Sequence, residues 1–223
     1  MSNSCLVLDF DGTILDTEEP QFLAWAELWE EFGHELSVAE WQMHIGELDT
    51  FDPAAELANR TGREIAPSRH VERRRRRGEL QALTGPRDGV EEWLEDAAVL
   101  GIPVGIASSS PWEWVEPHLD RLGLTSRFAC IVCSSTAIPP KPAPDSYLAA
   151  CNLMEAEPRL SVAVEDSPHG IRAAVAAGLF VVAVPHGLTG TLDLSAANVR
   201  LQALSQMKLS EAVATAVQRS GSL

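Results

Sequence analysis

The chain has 223 residues and a mass of 24.1 kDa, long for one domain and short for two, so one main domain with a substantial insertion is expected. A chain of this size buries about 70% of its surface on folding, and 45% apolar residues at a mean hydropathy of −0.02 exclude disorder, collagen, a coiled coil and a small disulfide scaffold. Seventeen Lys and Arg against 32 Asp and Glu leave a net charge of −15, a field that repels nucleic-acid phosphates and anionic bilayers, so neither is an expected partner.

In chain order, a short apolar strand over residues 5–9 breaks at Asp11-Gly12-Thr13 into a turn. A helix from Glu18 to Phe32 follows, with Phe22, Trp25, Leu28, Trp29 and Phe32 at three- and four-residue spacings. Two or three more helices cover 38–83, and the absence of any strand pattern between Asp16 and Gly85 predicts a small helical bundle. From Asp88 the pattern alternates: helix 88–100, strand 102–107, helix 112–122, strand 128–133, helix 145–154, strand 160–164, helix 168–177, strand 180–184. Short apolar strands alternating with helices predict a doubly wound parallel sheet covered on both faces, interrupted after its first strand by the helical block. The expected division is 1–15 with 86–223 for the main domain and 16–85 for the insertion.

The longest apolar stretch, Ala173 to Pro185, is interrupted by Gly178 and too short to span a membrane, and no basic leader precedes the first strand. A cytoplasmic protein is expected. The four cysteines read as buried thiols: Cys130 and Cys133, three apart along a strand, point to opposite faces and make a poor half-site for zinc.

Doubly wound sheets gather reactive groups at the carboxyl ends of their strands. There the sequence places Asp9, with Asp11 two residues on, Ser108 after the second strand of the alternation's sheet, and Glu165-Asp166 after the strand 160–164. Only Lys141 and Lys208 are lysines beside fifteen arginines, and Lys141 stands in the Pro-rich loop Ile138-Pro-Pro-Lys-Pro-Ala-Pro144. The set suits phosphoryl transfer. Hard oxygens from Asp9 and Asp166 suit Mg2+, Lys141 and Ser108 suit phosphate oxygens, Asp9 can attack phosphorus, and Asp11 can exchange a proton with the leaving oxygen.

Asp9-Phe-Asp11-Gly12-Thr13-Ile-Leu-Asp16-Thr17-Glu18 resembles the first motif of the haloacid dehalogenase-like (HAD) superfamily. Ala107-Ser108-Ser109, Lys141-Pro-Ala-Pro-Asp145 and Val164-Glu165-Asp166-Ser167, with Gly170, Ala173 and Gly178, resemble the second, third and fourth. The resemblance implies a Rossmann-like core with an inserted α-helical cap and a Mg2+-dependent aspartyl-phosphate mechanism on a small phosphorylated metabolite. It makes Asp9 the nucleophile and a metal ligand, and Asp11 the acid/base that also lends its carbonyl to the metal. Glu165 and Asp166 become the acidic metal pair, with Asp166 the direct ligand. Ser108, Ser109, Lys141 and Gly12 fall at the phosphate, and Asp16-Thr17 begins the hinge into the cap.

Within the superfamily, Asp11 argues against the metal-free dehalogenases. Resemblance to β-phosphoglucomutases extends to the cap, but Glu18-Glu-Pro-Gln21 lacks their hinge histidine, and Glu47-Leu-Asp49 after Gly46 lacks their cap arginine, so a phosphatase is expected over a mutase. A non-catalytic phosphate-binding scaffold would have no use for Asp11. The run Arg73 to Arg77 points in every direction around a helix; with 12 acidic residues between Asp16 and Glu56, pairing across the cap is expected, with Arg69, Arg73 or Arg77 the candidates to tip into the cleft instead. Trp25, Trp29 and Trp41 read as cap core.

Overall fold

The computed structural model describes residues 3–42, 52–135 and 137–221, so Gly46, Glu47 and Asp49, on which part of the mutase comparison rests, lie outside the described residues. Leu6–Leu8 form β1, and residues 16–85 contribute helices α1 (Glu18–Glu31), α2 (Val38–Gln42), α3 (Pro53–Thr61) and α4 (Pro67–Ala82). Then follow α5 (Val90–Leu100), β2 (Val104–Ala107), α6 (Trp112–Leu122), β3 (Cys130–Val132), α7 (Asp145–Leu153), β4 (Val162–Glu165), α8 (Pro168–Ala176) and β5 (Phe180–Ala183). Two elements beyond the sequence expectation close the chain, β6 (Val199–Arg200) and α9 (Leu209–Ser220).

The six strands are ordered β3-β2-β1-β4-β5-β6 and every adjacent pair is parallel. β1 is central, and the order reverses direction between β1 and β4, which is where a doubly wound sheet opens its crevice. Alternate residues enter two separate cores. Leu6, Leu8, Ile106, Val162, Val164 and Val182 pack on the side of α5, α6 and α9, around Trp93 and Leu119. Cys5, Val7, Ala107, Ala163, Val181 and Ala183 pack on the side of α7 and α8, with Tyr147, Ala150, Cys151, Ile171 and Ala174. The second face is built from small residues, which lets α7 and α8 approach the sheet closely.

Cys130 packs toward the small-residue face and Cys133 toward the other, as their spacing predicts, and all four cysteines are free. Cys5 Sγ and Cys151 Sγ lie 3.7 Å apart as buried thiols.

The inserted helices have their own aromatic centre: Trp25, Leu28, Trp29, Leu36, Trp41, Leu57 and Ile65 cluster together, and one residue from the main domain, Leu188, enters with them. Trp29, fully buried, donates its indole N–H to Pro53 O at 3.2 Å. The insertion leaves and returns through one narrow neck, where Leu15 pairs with Pro86 in an antiparallel bridge. Arg76 pairs with Glu27 at 2.8 Å and Arg69 with Glu31, so part of the arginine run bridges α4 to α1 as expected. Among the described residues no helix is long and apolar enough to cross a membrane.

Candidate active site

The site forms at the carboxyl ends of β1, β2 and β4. Asp9 continues the sheet ladder through its amide to Val164 O at 3.0 Å, so its side chain emerges at the crevice. The chain then folds back at once, with the amides of Thr13, Ile14 and Leu15 all reaching Phe10 O. That turn demands glycine at position 12 for two reasons: its φ is +77°, and an added Cβ would stand 2.3 Å from Asp166 Oδ2. Gly170 is a second such position, because a Cβ there would run into the Glu165 carboxylate at 1.8 Å.

Lys141, its side chain only 6% exposed, reaches from the Pro-rich loop to Asp9 Oδ1 and to Glu165 Oε1, the latter at 2.6 Å. Burial works against the lysine's charge, but Asp9 and Glu165 more than offset it and hold Lys141 protonated above the ordinary lysine range. Glu165 is fully occupied. Oε1 accepts Lys141 and the Tyr147 hydroxyl at 2.7 Å, and Oε2 accepts the amides of Asp166 and Ser167 and the Ser167 hydroxyl. Tyr147, the chain's single tyrosine, also lies beneath the ammonium, its ring centroid 5.0 Å from Nζ. Glu165 therefore acts as the anchor that aims Lys141 at Asp9.

Oxygens of Asp9, Glu165 and Asp166 lie within 4.8 Å of one another, all buried. Asp9 and Glu165 share one ammonium, and Asp166 lies against the imidazole of His186. Burial pushes the Asp9 carboxyl well above its ordinary range, only partly offset by Lys141, and burial likewise raises Asp166. A compact divalent cation with a preference for hard oxygens fits this donor set and its unbalanced charge. With Glu165 engaged by protein donors, Asp9 and Asp166 are the carboxylates suited to hold it.

Ser108, 2% exposed, follows β2 and is seated by its amide on Val132 O at 2.9 Å. Its Oγ accepts the Ser110 amide at 2.9 Å, which leaves the hydroxyl proton to donate toward the crevice. Ser109 is exposed in the same turn. Asp11 is engaged on both carboxylate oxygens. Oδ1 accepts Thr17 Oγ1 and Trp114 Nε1, each at 2.8 Å, and Oδ2 accepts Ser110 Oγ at 2.6 Å. Asp9, Lys141, Glu165 and Asp166 are thus brought together with Gly12 against them, and Ser108 is linked to Asp11 through Ser110, while Ser109 faces outward in the turn after β2.

Several of its neighbours were not anticipated. Ser110 and Trp114 lie just past the Ala-Ser-Ser motif, and Tyr147 in the first turn of α7; its uniqueness was a usable signal. His186, in the loop after β5, places Nε2 3.2 Å from Asp166 Oδ2 and Nδ1 3.7 Å from Asp16 Oδ2, an electrostatic contact rather than an aligned hydrogen bond. Burial opposes its charge, but Asp166 raises the imidazole above its ordinary range. A position just beyond the carboxyl end of β5 was the available hint. Arg87, at the return from the insertion, donates to Gly12 O, to Val184 O at 2.7 Å and to Pro185 O at 2.9 Å, tying the first turn to the last loop. Glu18 stands half-buried beside these groups, and burial followed by Asp11 and Asp166 pushes its carboxyl up to about 7.

The cap arginines divide. Arg69, Arg75 and Arg76 pair with glutamates, whereas Arg73 and Arg77 turn inward. Arg73 stacks on Trp25 at 4.3 Å, and Arg77 lies over Trp114 at 5.1 Å with Gln21 as a hydrogen-bond partner at 3.3 Å. Of the three candidates to tip into the cleft, Arg77 is the one brought beside the residues that hold Asp11.

Comparison with known proteins agrees with this geometry. The family model described as haloacid dehalogenase-like hydrolase matches residues 6–184. YhcW of Bacillus subtilis is 36% identical over 205 residues, covering 92% of this chain and 93% of that protein. The validoxylamine A 7'-phosphate phosphatase of Streptomyces hygroscopicus is 28% identical over 206 residues, covering 91% and 94%. In fold, the chain is similar to the crystal structure of a HAD family hydrolase from Deinococcus radiodurans with bound phosphate and sodium, with a TM-score of 0.75 at 24% identity over 96% of each chain. Together with the six-stranded parallel sheet and the four motifs converging on one crevice, these similarities place the chain in the haloacid dehalogenase-like hydrolase family.

Proposed function

We propose that the protein is a Mg2+-dependent phosphatase that hydrolyses a small phosphomonoester through an aspartyl-phosphate on Asp9. The observation that carries this reading is the convergence of Asp9, Lys141 and Asp166 in one buried cluster with Asp11 alongside. Lys141 and Ser108 bind the phosphate oxygens, with Ser109 and the Gly12 turn completing the cradle. Asp9 and Asp166 would hold the cation, with Glu165 behind them and the carbonyl of Asp11 as a further ligand; bound there, it would supply neutralisation of the phosphate charge.

In the first transfer a carboxylate oxygen of Asp9 attacks phosphorus, the bond to the leaving oxygen breaks, and Asp11 gives that oxygen a proton. Water then attacks the same phosphorus, its proton passes to Asp11, inorganic phosphate departs and the Asp9 carboxylate is restored. Residues 16–85 act as the cap, hinged at Asp16-Thr17, and exclude bulk water during transfer.

A small metabolite is favoured over nucleic acid by the charge of −15, and free thiols throughout suit the cytoplasm. The phosphatase reading is favoured over a sugar-phosphate mutase by Glu18-Glu-Pro-Gln21, which has no histidine and whose Gln21 is engaged with Arg77. Sugar phosphates, phosphoglycolate and nucleoside monophosphates define the panel to test. Phosphate release that requires Mg2+, is abolished by EDTA and is lost in Asp9→Asn is the expected result. Isomerisation of a sugar phosphate without phosphate release would establish the mutase instead, and neither activity on any member would leave a binding protein.

A further inference from the structure

We propose that Trp114 and Ser110 are the positioning residues of Asp11, holding its carboxylate so that one lone pair of Oδ2 is left for the proton exchanged with the leaving oxygen. The inference rests on the acid/base role proposed above and concerns how this chain delivers it. A carboxylate oxygen offers two acceptor positions. Oδ1 spends both, one on the Thr17 hydroxyl and one on the Trp114 indole, each at 2.8 Å, while Oδ2 spends one on Ser110 at 2.6 Å. The donors are not equivalent. A hydroxyl can rotate and become an acceptor, but an indole N–H only donates, so the oxygen facing Trp114 is held as an acceptor in both protonation states of Asp11.

The indole is itself held from two sides. Arg77 of α4 lies over its ring at 5.1 Å, and His118, one turn further along α6, meets it edge-on at 4.6 Å with an interplanar angle of 70°. His118 in turn packs toward Phe10, between Asp9 and Asp11, at 6.1 Å. Ser110 is tied to the phosphate site through its amide bond to Ser108 Oγ, so one short segment sets the distance between the phosphate-binding hydroxyl and the acid. Rotamers locked by packing and by such outer partners are what a proton-transfer group requires, since a displacement of about 1 Å costs about a hundredfold in rate. The ring face beneath Arg77 also makes the placement of Asp11 sensitive to where α4 sits, linking the acid to the cap through a single side chain.

The test is leaving-group dependence. p-Nitrophenyl phosphate releases a stabilised phenolate that needs no proton, whereas glycerol 2-phosphate releases an alkoxide that does. Because kcat/KM reports the transfer to Asp9 and excludes the hydrolysis common to both substrates, it isolates the acid's contribution. Trp114→Phe keeps the aromatic face and removes the N–H; Ser110→Ala removes the second donor and keeps the backbone bonds. In each variant kcat/KM for glycerol 2-phosphate is expected to fall by ~10- to 100-fold while that for p-nitrophenyl phosphate stays within about threefold of the parent. Equal losses on both substrates would reduce the two residues to structural support, and unchanged values on both would remove the proposal. Ser110→Ala decides the matter if Trp114→Phe fails to fold. If the parent turns over neither ester, the alkyl member of the pair is replaced by the best ester of the panel above; no Mg2+-dependent turnover of any of them would overturn the phosphatase reading, and this inference with it.

Discussion

The strand-end site and the inserted helices solve opposite problems. At the site, three buried carboxylates are crowded together, Asp9 and Glu165 on the Lys141 ammonium and Asp166 against the His186 imidazole, an arrangement that costs stability and is suited to receive a cation and a phosphate. The insertion places its charge outside, where Arg69, Arg75 and Arg76 meet glutamates in solvent, and keeps an aromatic centre within. A charge in the first region is chemistry and in the second mostly surface. The contrast has two informative exceptions: Arg73 and Arg77 bring cationic groups inward on stacked indoles, and Leu188 carries a main-domain side chain into the cap's core.

If the core charges are chemical, their removal should stop turnover and leave the fold standing. Asp9→Asn is expected to lower kcat by ~10⁴ or more while the thermal midpoint holds or rises, since a buried carboxylate among like charges is replaced by a neutral amide. Near-parent turnover would remove Asp9 as nucleophile. Asp11→Asn is expected to lower kcat/KM by at least ~10² on alkyl phosphates and far less on p-nitrophenyl phosphate; equal kcat/KM in mutant and parent on both would refute the acid role.

The sheet and its strand-end residues were legible because both follow from local rules. Strands buried on both faces read as continuous apolar runs, and the residue that ends such a run is directed to the crevice by the ladder alone. Asp9, Ser108 and Asp166 were therefore visible from position. Trp114, Tyr147 and His186 were not, because what brings each to the site is tertiary: α6 laid across the first turn, α7 under Lys141, and a loop from β5 reaching Asp166. The two-residue β6 gave too short a pattern to detect, and the split of the arginine run depends on which side of α4 meets Trp25 and Trp114, information held in the partner surfaces.

The cap side of the contrast predicts large effects from aromatics and small ones from exposed ions. Trp29→Ala deletes a fully buried ring and should cost ~3–5 kcal/mol of stability, read as a lowered denaturation midpoint. Arg76→Ala, which breaks an exposed pair with Glu27, should leave the midpoint unchanged within error. An Arg76 variant as damaging as the Trp29 variant would mean that the surface ion pairs, and not the aromatic cluster, hold the insertion together.

The smallest effect that should still be measurable lies at the seam, where Glu18 opens the first cap helix beside the core's acidic groups. Burial, then Asp11 and Asp166, raise its carboxyl from 4.5 to about 7. Below the lower value the group is protonated folded or unfolded and contributes no pH dependence. Between the two values the unfolded chain has released the proton while the folded chain retains it, so rising pH favours unfolding through that window; above about 7 both forms are charged and the penalty is constant. Asp9 and Asp166 are raised by burial as well and add slopes of the same sign. In EDTA, the parent's thermal midpoint should therefore fall as pH rises from 4.5 to about 7, and that of Glu18→Gln, which carries no titrating group at this position, should fall less. Identical slopes in the two proteins would show that Glu18 keeps an ordinary carboxyl and that the seam is solvated; a reduced slope would extend the core's charge imbalance one residue into the cap.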